Sequence, residues 1–158
     1  MRVAFHAMGI GDEIAFDYPE NNCFGCGQHN ERGLQLRFTQ VSHSGVETRY
    51  TAPDYMNGAP GIVHGGMQAA LLDEAIGFAM HAMRSSNGEL LTDEAGWQRN
   101  ATVEFDLRYR RPVPVGVEVI LRAEILGQRG RDYYAVAEIV GDDDEVLTSA
   151  TAKWRRLH

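Results

Sequence analysis

The stretch Gly66 to Met83 reads Gly-Met-Gln-Ala-Ala-Leu-Leu-Asp-Glu-Ala-Ile-Gly-Phe-Ala-Met-His-Ala-Met, rich in helix formers and apolar on nearly every side. A helix of this pattern has no polar stripe wide enough for a surface, so the rest of the chain must be built around it. The C-terminal half supplies the cover. Thr102–Arg110, Val117–Leu126, Asp132–Val140 and Glu145–Trp154 alternate apolar and polar residues with the period of two expected of half-buried strands. The connections Pro112–Gly116, Gly127–Gly130 and Gly141–Asp144 are turns, too short for parallel crossovers, so these strands must be antiparallel neighbours. Before the helix, Gly33–Phe38 and Val46–Thr51 read as two more strands, and Ala52–Gly61, with Pro53, Gly58, Pro60 and Gly61, as a loop. Ser85–Asn100 is a largely polar connection. The fold class expected is α+β, an antiparallel sheet around one long helix. Met1–Asn22 is expected to form an arm or cap, and 23–158 one domain without internal repeat or linker.

The chain has 158 residues, 44% hydrophobic and 23% charged, enough for one buried core. Its net charge of −7 is a poor footprint for gripping nucleic acid or an anionic membrane, so any anionic ligand must be held locally. Met1–Asp17 lacks the charged-then-apolar pattern of a secretion signal, and no stretch stays apolar long enough to span a bilayer. A cytoplasmic location is the expectation. Cys23 and Cys26, the only cysteines, are too few and too close to staple a secreted scaffold.

An ionised carboxylate in an apolar helix costs several kcal/mol unless paired or used, so Asp73 and Glu74 require an explanation. At helical periodicity Gly66, Ala69, Ala70, Asp73 and Gly77 fall on one strip, and every neighbour of Asp73 there is small. Such a strip admits a second backbone or a ligand. It is equally compatible with tight packing against another element, Asp73 being bonded to a loop amide. Glu74 points roughly 100° away, toward Phe78 and His81, and reads as a carboxylate at the sheet margin or helix edge. His81 reads as a satisfied core residue. At the helix start, free amides and the dipole favour negative charge, and Gly65 and Gly66 would leave those amides uncovered for an oxyanion. Two glycines also serve a tight loop-to-helix turn. Gly65 and Asp73 are separated by roughly 12 Å of helical rise, whereas a base and an oxyanion donor must both reach one carbon. A catalytic reading of this helix therefore predicts a symmetric dimer with two shared sites.

The strings Cys23-Phe24-Gly25-Cys26-Gly27 … Asn30 … Gly33-Leu34, Gly61-Ile62-Val63-His64-Gly65-Gly66 … Leu71-Leu72-Asp73-Glu74-Ala75 and Thr102 … Tyr109-Arg110-Arg111-Pro112-Val113-Pro114 closely resemble the hotdog-fold acyl-CoA thioesterases. The resemblance is to the PaaI-like group of the 4-hydroxybenzoyl-CoA thioesterase superfamily, and it covers most of the chain from Cys23 onward. It implies a hotdog fold, dimers often paired into tetramers, and hydrolysis of an acyl-CoA thioester to free acid and coenzyme A. No cofactor is implied beyond the coenzyme A carried by substrate and product. It places the oxyanion donor on the Gly65 amide, the base or nucleophile on Asp73, and a water-orienting hydroxyl on Thr102, with His64 shaping the loop. Asn57 is the nearest candidate for an amide side chain beside the thioester, and Gly66 borders the same place. Strand alternation, by contrast, puts Thr102 on a polar face with Glu104 and Asp106.

Other chemistries find no support. There is no Gly-x-Ser-x-Gly elbow, phosphate loop or His-Glu-x-x-His. Cys23-x-x-Cys26 lacks a second Cys or His pair at ligand spacing, so no metal is expected unless through a site shared between subunits. Arg108, Arg110, Arg111, Arg129 and Arg131 are expected to cluster at a strand end and a neighbouring turn. A solvated face is the simple reading, and Arg110 and Arg111 are candidates for the phosphates of coenzyme A. The rivals are a non-catalytic acyl-CoA-binding hotdog protein and a hotdog hydratase, which would need a His base; Asp73 favours hydrolysis.

Overall fold

The computed structural model describes residues 9–16, 19–89 and 100–157. Helix α1 spans Gly65–Ser86. His64 caps its start, Nδ1 accepting the Gly66 N–H at 2.9 Å, and the Asn87 N–H closes its end on the Met83 carbonyl at 2.9 Å. Leu71, Leu72, Ile76, Phe78 and Met80 are each no more than 1% exposed. Burial of side chains of this size contributes about 1.5–3 kcal/mol apiece.

The sheet comprises β1 (Glu13–Ile14), β2 (Phe38–Gln40), β3 (Gly45–Thr51), β4 (Asn100–Tyr109), β5 (Glu118–Arg129), β6 (Asp132–Val140) and β7 (Val146–Arg156). All neighbours are antiparallel, in the order β1-β2-β3-β5-β6-β7-β4. The turn expected between neighbouring strands at Pro112–Gly116 is not one: β4 lies beside β7 and β5 between β3 and β6, and the segment crosses past the loop before the helix, where the Val113 carbonyl accepts from the Val63 N–H at 2.8 Å. The long helix lies against β5, β6 and β3, where Leu121, Ala123, Ile125, Ala135, Ala137 and Ile139 face it. The chain before the cysteines also reaches the core: Ile14 is buried, and the Phe16 ring lies 4.7 Å from Phe78, on which Phe38 of β2 also packs at 4.7 Å. No described helix is long and apolar enough to cross a membrane.

Three further local expectations are corrected. Gly33–Phe38 is not a strand; only Phe38–Gln40 is. Gln35 adopts φ 48°, which breaks extended pairing, and Leu34 and Leu36 donate instead to the Phe24 and Gly25 carbonyls at 2.7 and 3.0 Å. Gly127–Gly130 is not the turn after β5. The register shifts between Ile125 and Gly127, leaving Leu126 64% exposed, and the strand runs on to Arg129. The turn is Gly130-Arg131, with Gly130 at φ 61° between the paired Arg129 and Asp132. The third correction concerns β4, which shifts register between Thr102 and Glu104. Thr102 pairs with Trp154 and Glu104 with Lys153, and consecutive β7 residues point to opposite faces. Thr102 therefore shares the Trp154 face, which lies against the helix at Gly77, and not the face of Glu104. Of the polar connection expected at Ser85–Asn100, residues 90–99 lie outside the described residues.

Candidate active site

The loop preceding α1 is fixed by its own backbone. His64 donates to the Met56 carbonyl at 2.8 Å, Gly58 to Ile62 at 2.8 Å, and Val63 to Val113 at 2.8 Å. Gln68, in the first turn of the helix and buried, donates to the Val63 carbonyl at 2.8 Å and accepts from the Thr148 hydroxyl at 2.5 Å. It ties helix start, loop and β7 together, a role that sequence spacing does not reveal.

An open cleft of about 510 Å³ lies over the helix start, walled by His64, Gly65, Gly66, Tyr109, Arg110 and Arg111 among others. Asn57 does not line it; its Oδ1 is spent on the loop, accepting from the Gly61 N–H at 3.2 Å. The expectation that both glycine amides lie uncovered holds for one only. The Gly66 N–H is taken by His64 Nδ1, whereas nothing among the described residues accepts from the Gly65 N–H. Tyr109 completes the wall, donating to the Gly65 carbonyl at 3.0 Å. A side chain at residue 65 would begin 3.3 Å from the Tyr109 ring, so the glycine keeps the amide approachable.

The arginines divide. Arg110 and Arg111 stand at this cleft, held by Ser149 at 3.2 Å and Glu145 at 3.2 Å. Arg129 and Arg131 belong to the hairpin beside Arg155, which pairs near the opposite end of β4, roughly 30 Å away along the strand. The expected single cluster does not form, because β7 carries the two groups to opposite ends of the sheet.

Asp73 lies two turns farther along the half-exposed strip of Gly66, Ala69, Ala70 and Gly77. The Thr102 hydroxyl donates to its Oδ1 at 2.7 Å. Burial raises the Asp73 carboxyl above the ordinary range, while Thr102 and the nearby Trp154 indole act in the lowering direction. The structure thus brings Asp73 to Thr102 and gathers His64, Gly65, Gly66, Arg110 and Arg111, but keeps these two groups apart along one helix.

Glu74 is not at a margin. The Cys23–Cys26 hook folds over it, with Cys23 Sγ 3.6 Å from Oε1, and a Cβ on Gly25 would lie 2.0 Å from Glu74 Cγ. Burial lifts the Glu74 carboxyl to about 8. The free Cys26 thiol, donating a hydrogen bond to the Cys23 sulfur, holds Cys23 down at about 5 and is itself pushed up. His81 is buried as expected, edge-on to Phe16 with centroids 5.0 Å apart, but its Nδ1 has no partner among the described residues. Burial, with Arg84 nearby, depresses its pKa to about 4.

The family model described as the thioesterase superfamily matches residues 60–148, from the loop before His64 to the first residues of β7. The chain belongs to the thioesterase superfamily. Among relatives of this superfamily member, acyl-coenzyme A thioesterase THEM4 of Xenopus laevis is 31% identical over 104 residues, 65% of this chain and 41% of that one. The Bos taurus protein of the same name is 24% identical over 95 residues, 60% of this chain and 33% of that one. The chain thus spans less than half the length of these curated relatives. The structure of a phenylacetic acid degradation-related protein from Ralstonia eutropha superimposes with a TM-score of 0.61 at 25% identity, covering 75% of this chain and 82% of that one. The E. coli PaaI protein gives 0.62 at 16% identity, covering 77% and 78%, a likeness of fold. The helix on its seven-stranded antiparallel sheet is the hotdog fold of these thioesterase-superfamily structures.

Proposed function

We propose that this chain hydrolyses acyl-CoA thioesters at sites shared between two copies. The observation that carries the reading is Asp73, a carboxylate on a strip of small residues, oriented by the Thr102 hydroxyl at 2.7 Å. Asp73 takes a proton from water, whose oxygen attacks the thioester carbonyl carbon. The oxyanion accepts from the Gly65 amide of the facing copy, and the tetrahedral intermediate collapses with loss of the coenzyme A thiolate, a good leaving group that takes up the proton. Arg110 and Arg111 at the same cleft suit the phosphates of the nucleotide. The reaction so written draws on no cofactor.

Two features support a dimer as the unit. Gly65 and Asp73 stand roughly 12 Å apart along one helix, too far to serve one carbonyl. Strand β4, ten residues long, ends the strand order of the sheet, and among the described strands β7 alone pairs with it. Such an edge is a template for a second copy. Antiparallel pairing about a twofold axis would bring each Asp73 toward the other copy's Gly65. The Xenopus laevis and Bos taurus relatives carry the name acyl-coenzyme A thioesterase, which agrees with this substrate class.

The test is release of free thiol from short, medium, long and aryl acyl-CoA esters, with the oligomeric state measured by sedimentation. Turnover on at least one class by a dimer or larger assembly is expected. Saturable acyl-CoA binding with no turnover on any class would replace the enzyme by a binding protein.

A further inference from the structure

The Cys23–Cys26 hook takes no part in this reaction, yet its backbone is shaped around its two sulfurs. Gly27 donates to the Cys23 carbonyl at 3.0 Å, and a Cβ there would lie 2.6 Å from that oxygen and 2.7 Å from the Asn21 carbonyl. Only glycine lets the chain fold this tightly after Cys26. The turn aims the Gly25 and Cys26 N–H groups at the Cys23 sulfur. Asn21, 2% exposed, accepts the Cys23 N–H at 3.1 Å, donates to the Phe16 carbonyl at 2.9 Å and places its amide 3.8 Å from Cys26 Sγ. Cys23 thus sits among amide donors, which favour its thiolate, and the Asn21 amide acts in the same direction on Cys26, whose thiol the bond to Cys23 and burial otherwise keep protonated.

Helix α1 brings an oxygen to the same point, a third ligand atom beside the two sulfurs. Cys23 Sγ, Cys26 Sγ and a Glu74 carboxylate oxygen all lie within 4.8 Å of one another. The missing side chain of Gly25 is what admits the carboxylate. No cation pairs with Glu74 among the described residues, and Arg84, which lines the adjoining cavity, is turned to Glu89 at 2.8 Å. Ligand atoms around a tetrahedral zinc ion stand roughly 3.3–3.8 Å apart, so the 3.6 Å from Cys23 to Glu74 already fits and the others need only small side-chain rotations.

We propose that Cys23, Cys26 and Glu74 bind a thiophilic divalent cation of the zinc type, clamping the N-terminal hook to the central helix. Two thiolates and one carboxylate fill three positions. The fourth faces a cavity of about 240 Å³ lined by Phe16, Gly77, His81, Asn100 and Trp154, and takes water. Thiol and carboxyl protons are released as the ion binds. The expectation that two cysteines leave too few ligands misses Glu74, which lies 51 positions from Cys23 in sequence.

The readout is independent of turnover. Untagged protein, purified with reductant and without chelator, is analysed for zinc and then, once stripped, titrated with cobalt(II) while thiolate-to-cobalt charge-transfer absorption is followed. One ion per chain and a saturating band are expected. Cys26→Ser should lose the band, and Glu74→Gln should keep it but bind cobalt at least about tenfold more weakly. Reduced wild-type protein with no zinc and no band at saturating cobalt overturns the proposal, and needs no variant to fold. A band unchanged in Cys26→Ser overturns it as well. So does a Cys23–Cys26 disulfide forming equally fast with and without excess zinc.

Discussion

The Thr102 hydroxyl reaches Asp73 only because β4 gains a residue at Val103: the register shift turns Thr102 toward the helix and leaves Glu104 on the far face with Lys153. The bond holds the carboxylate in orientation and opposes the effect of its burial. Asp73→Asn, nearly isosteric but no longer a base, should lower kcat by about 10²–10⁴-fold with the fold retained, measured by thiol release and circular dichroism. Near wild-type kcat would end the general-base assignment.

The same bond sets a pH dependence. The Asp73 carboxyl is raised by burial, so activity should fall on the acid side at a pH above the ordinary 3.8 of this group. Thr102 acts in the lowering direction, so Thr102→Val should move that limb to still higher pH and lower kcat with little change in KM. Thr102→Ser, which keeps the hydroxyl, should restore the wild-type profile. Identical kcat/KM profiles for Thr102→Val and wild type would show that the hydroxyl neither tunes nor positions the base.

Gln68 should prove to be a stability residue near the site. Gln68→Leu leaves the buried Thr148 hydroxyl and the Val63 carbonyl without their partners. Two such losses cost about 2–5 kcal/mol. The urea midpoint should fall accordingly with the slope unchanged. A midpoint within experimental error of wild type would mean that both groups find other partners.

How far the chain can be read ahead of its structure depends on the range of the interactions. The helix, its small strip, the position of Asp73 and the existence of the four later strands are written in local periodicity. Strand alternation puts Thr102 on the wrong face because a single bulge inverts it, and nothing in Thr102-Val103-Glu104 marks the extra residue. Gly33–Phe38 alternates like a strand, but Gln35 turns it so that its amides serve the hook instead. The helical angle aims Glu74 in the right direction. What covers it, a turn centred on Gly25, lies some fifty residues earlier and is not legible in spacing. The arginines fail for a similar reason: nearness along the sequence at Arg108–Arg111 and Arg129–Arg131 says nothing of which end of a sheet each occupies.

His81 should make the fold acid-sensitive. Its pKa is about 4 in the folded chain against 6.5 for the free group, so the unfolded chain binds the extra proton between these values. The stability is present above pH 6.5 and is lost as pH falls toward 4, about 2 kcal/mol being withdrawn by about pH 5. Asp73 and Glu74, raised by burial, work in the opposite sense, so the comparison must be with His81→Gln, which removes this contribution alone. The gap between variant and wild-type urea stabilities should shift toward the variant by that amount between about pH 7 and about pH 5. A gap independent of pH would show that His81 is protonated as readily in the fold as outside it.

Complementation tests the shared site directly. Asp73→Asn removes the base and leaves the helix start intact. Gly65→Val leaves the base intact but drives a branched side chain into the Tyr109 ring, which a Cβ alone would approach to 3.3 Å, and so closes the approach to the amide. Each homodimer carries one of these lesions in both sites. In a heterodimer one site receives the Asp73 lesion and the Gly65 lesion together, and the other receives neither. A random one-to-one mixture is half heterodimer with one intact site in two, so roughly a quarter of wild-type activity should return on co-refolding. Each variant refolded alone supplies the baseline, and native mass spectrometry of differently tagged chains supplies the heterodimer fraction. If heterodimers form and bind acyl-CoA while activity stays at the baseline, Asp73 and the Gly65 amide do not meet across the twofold axis, and the proposed division of the reaction between two copies is wrong.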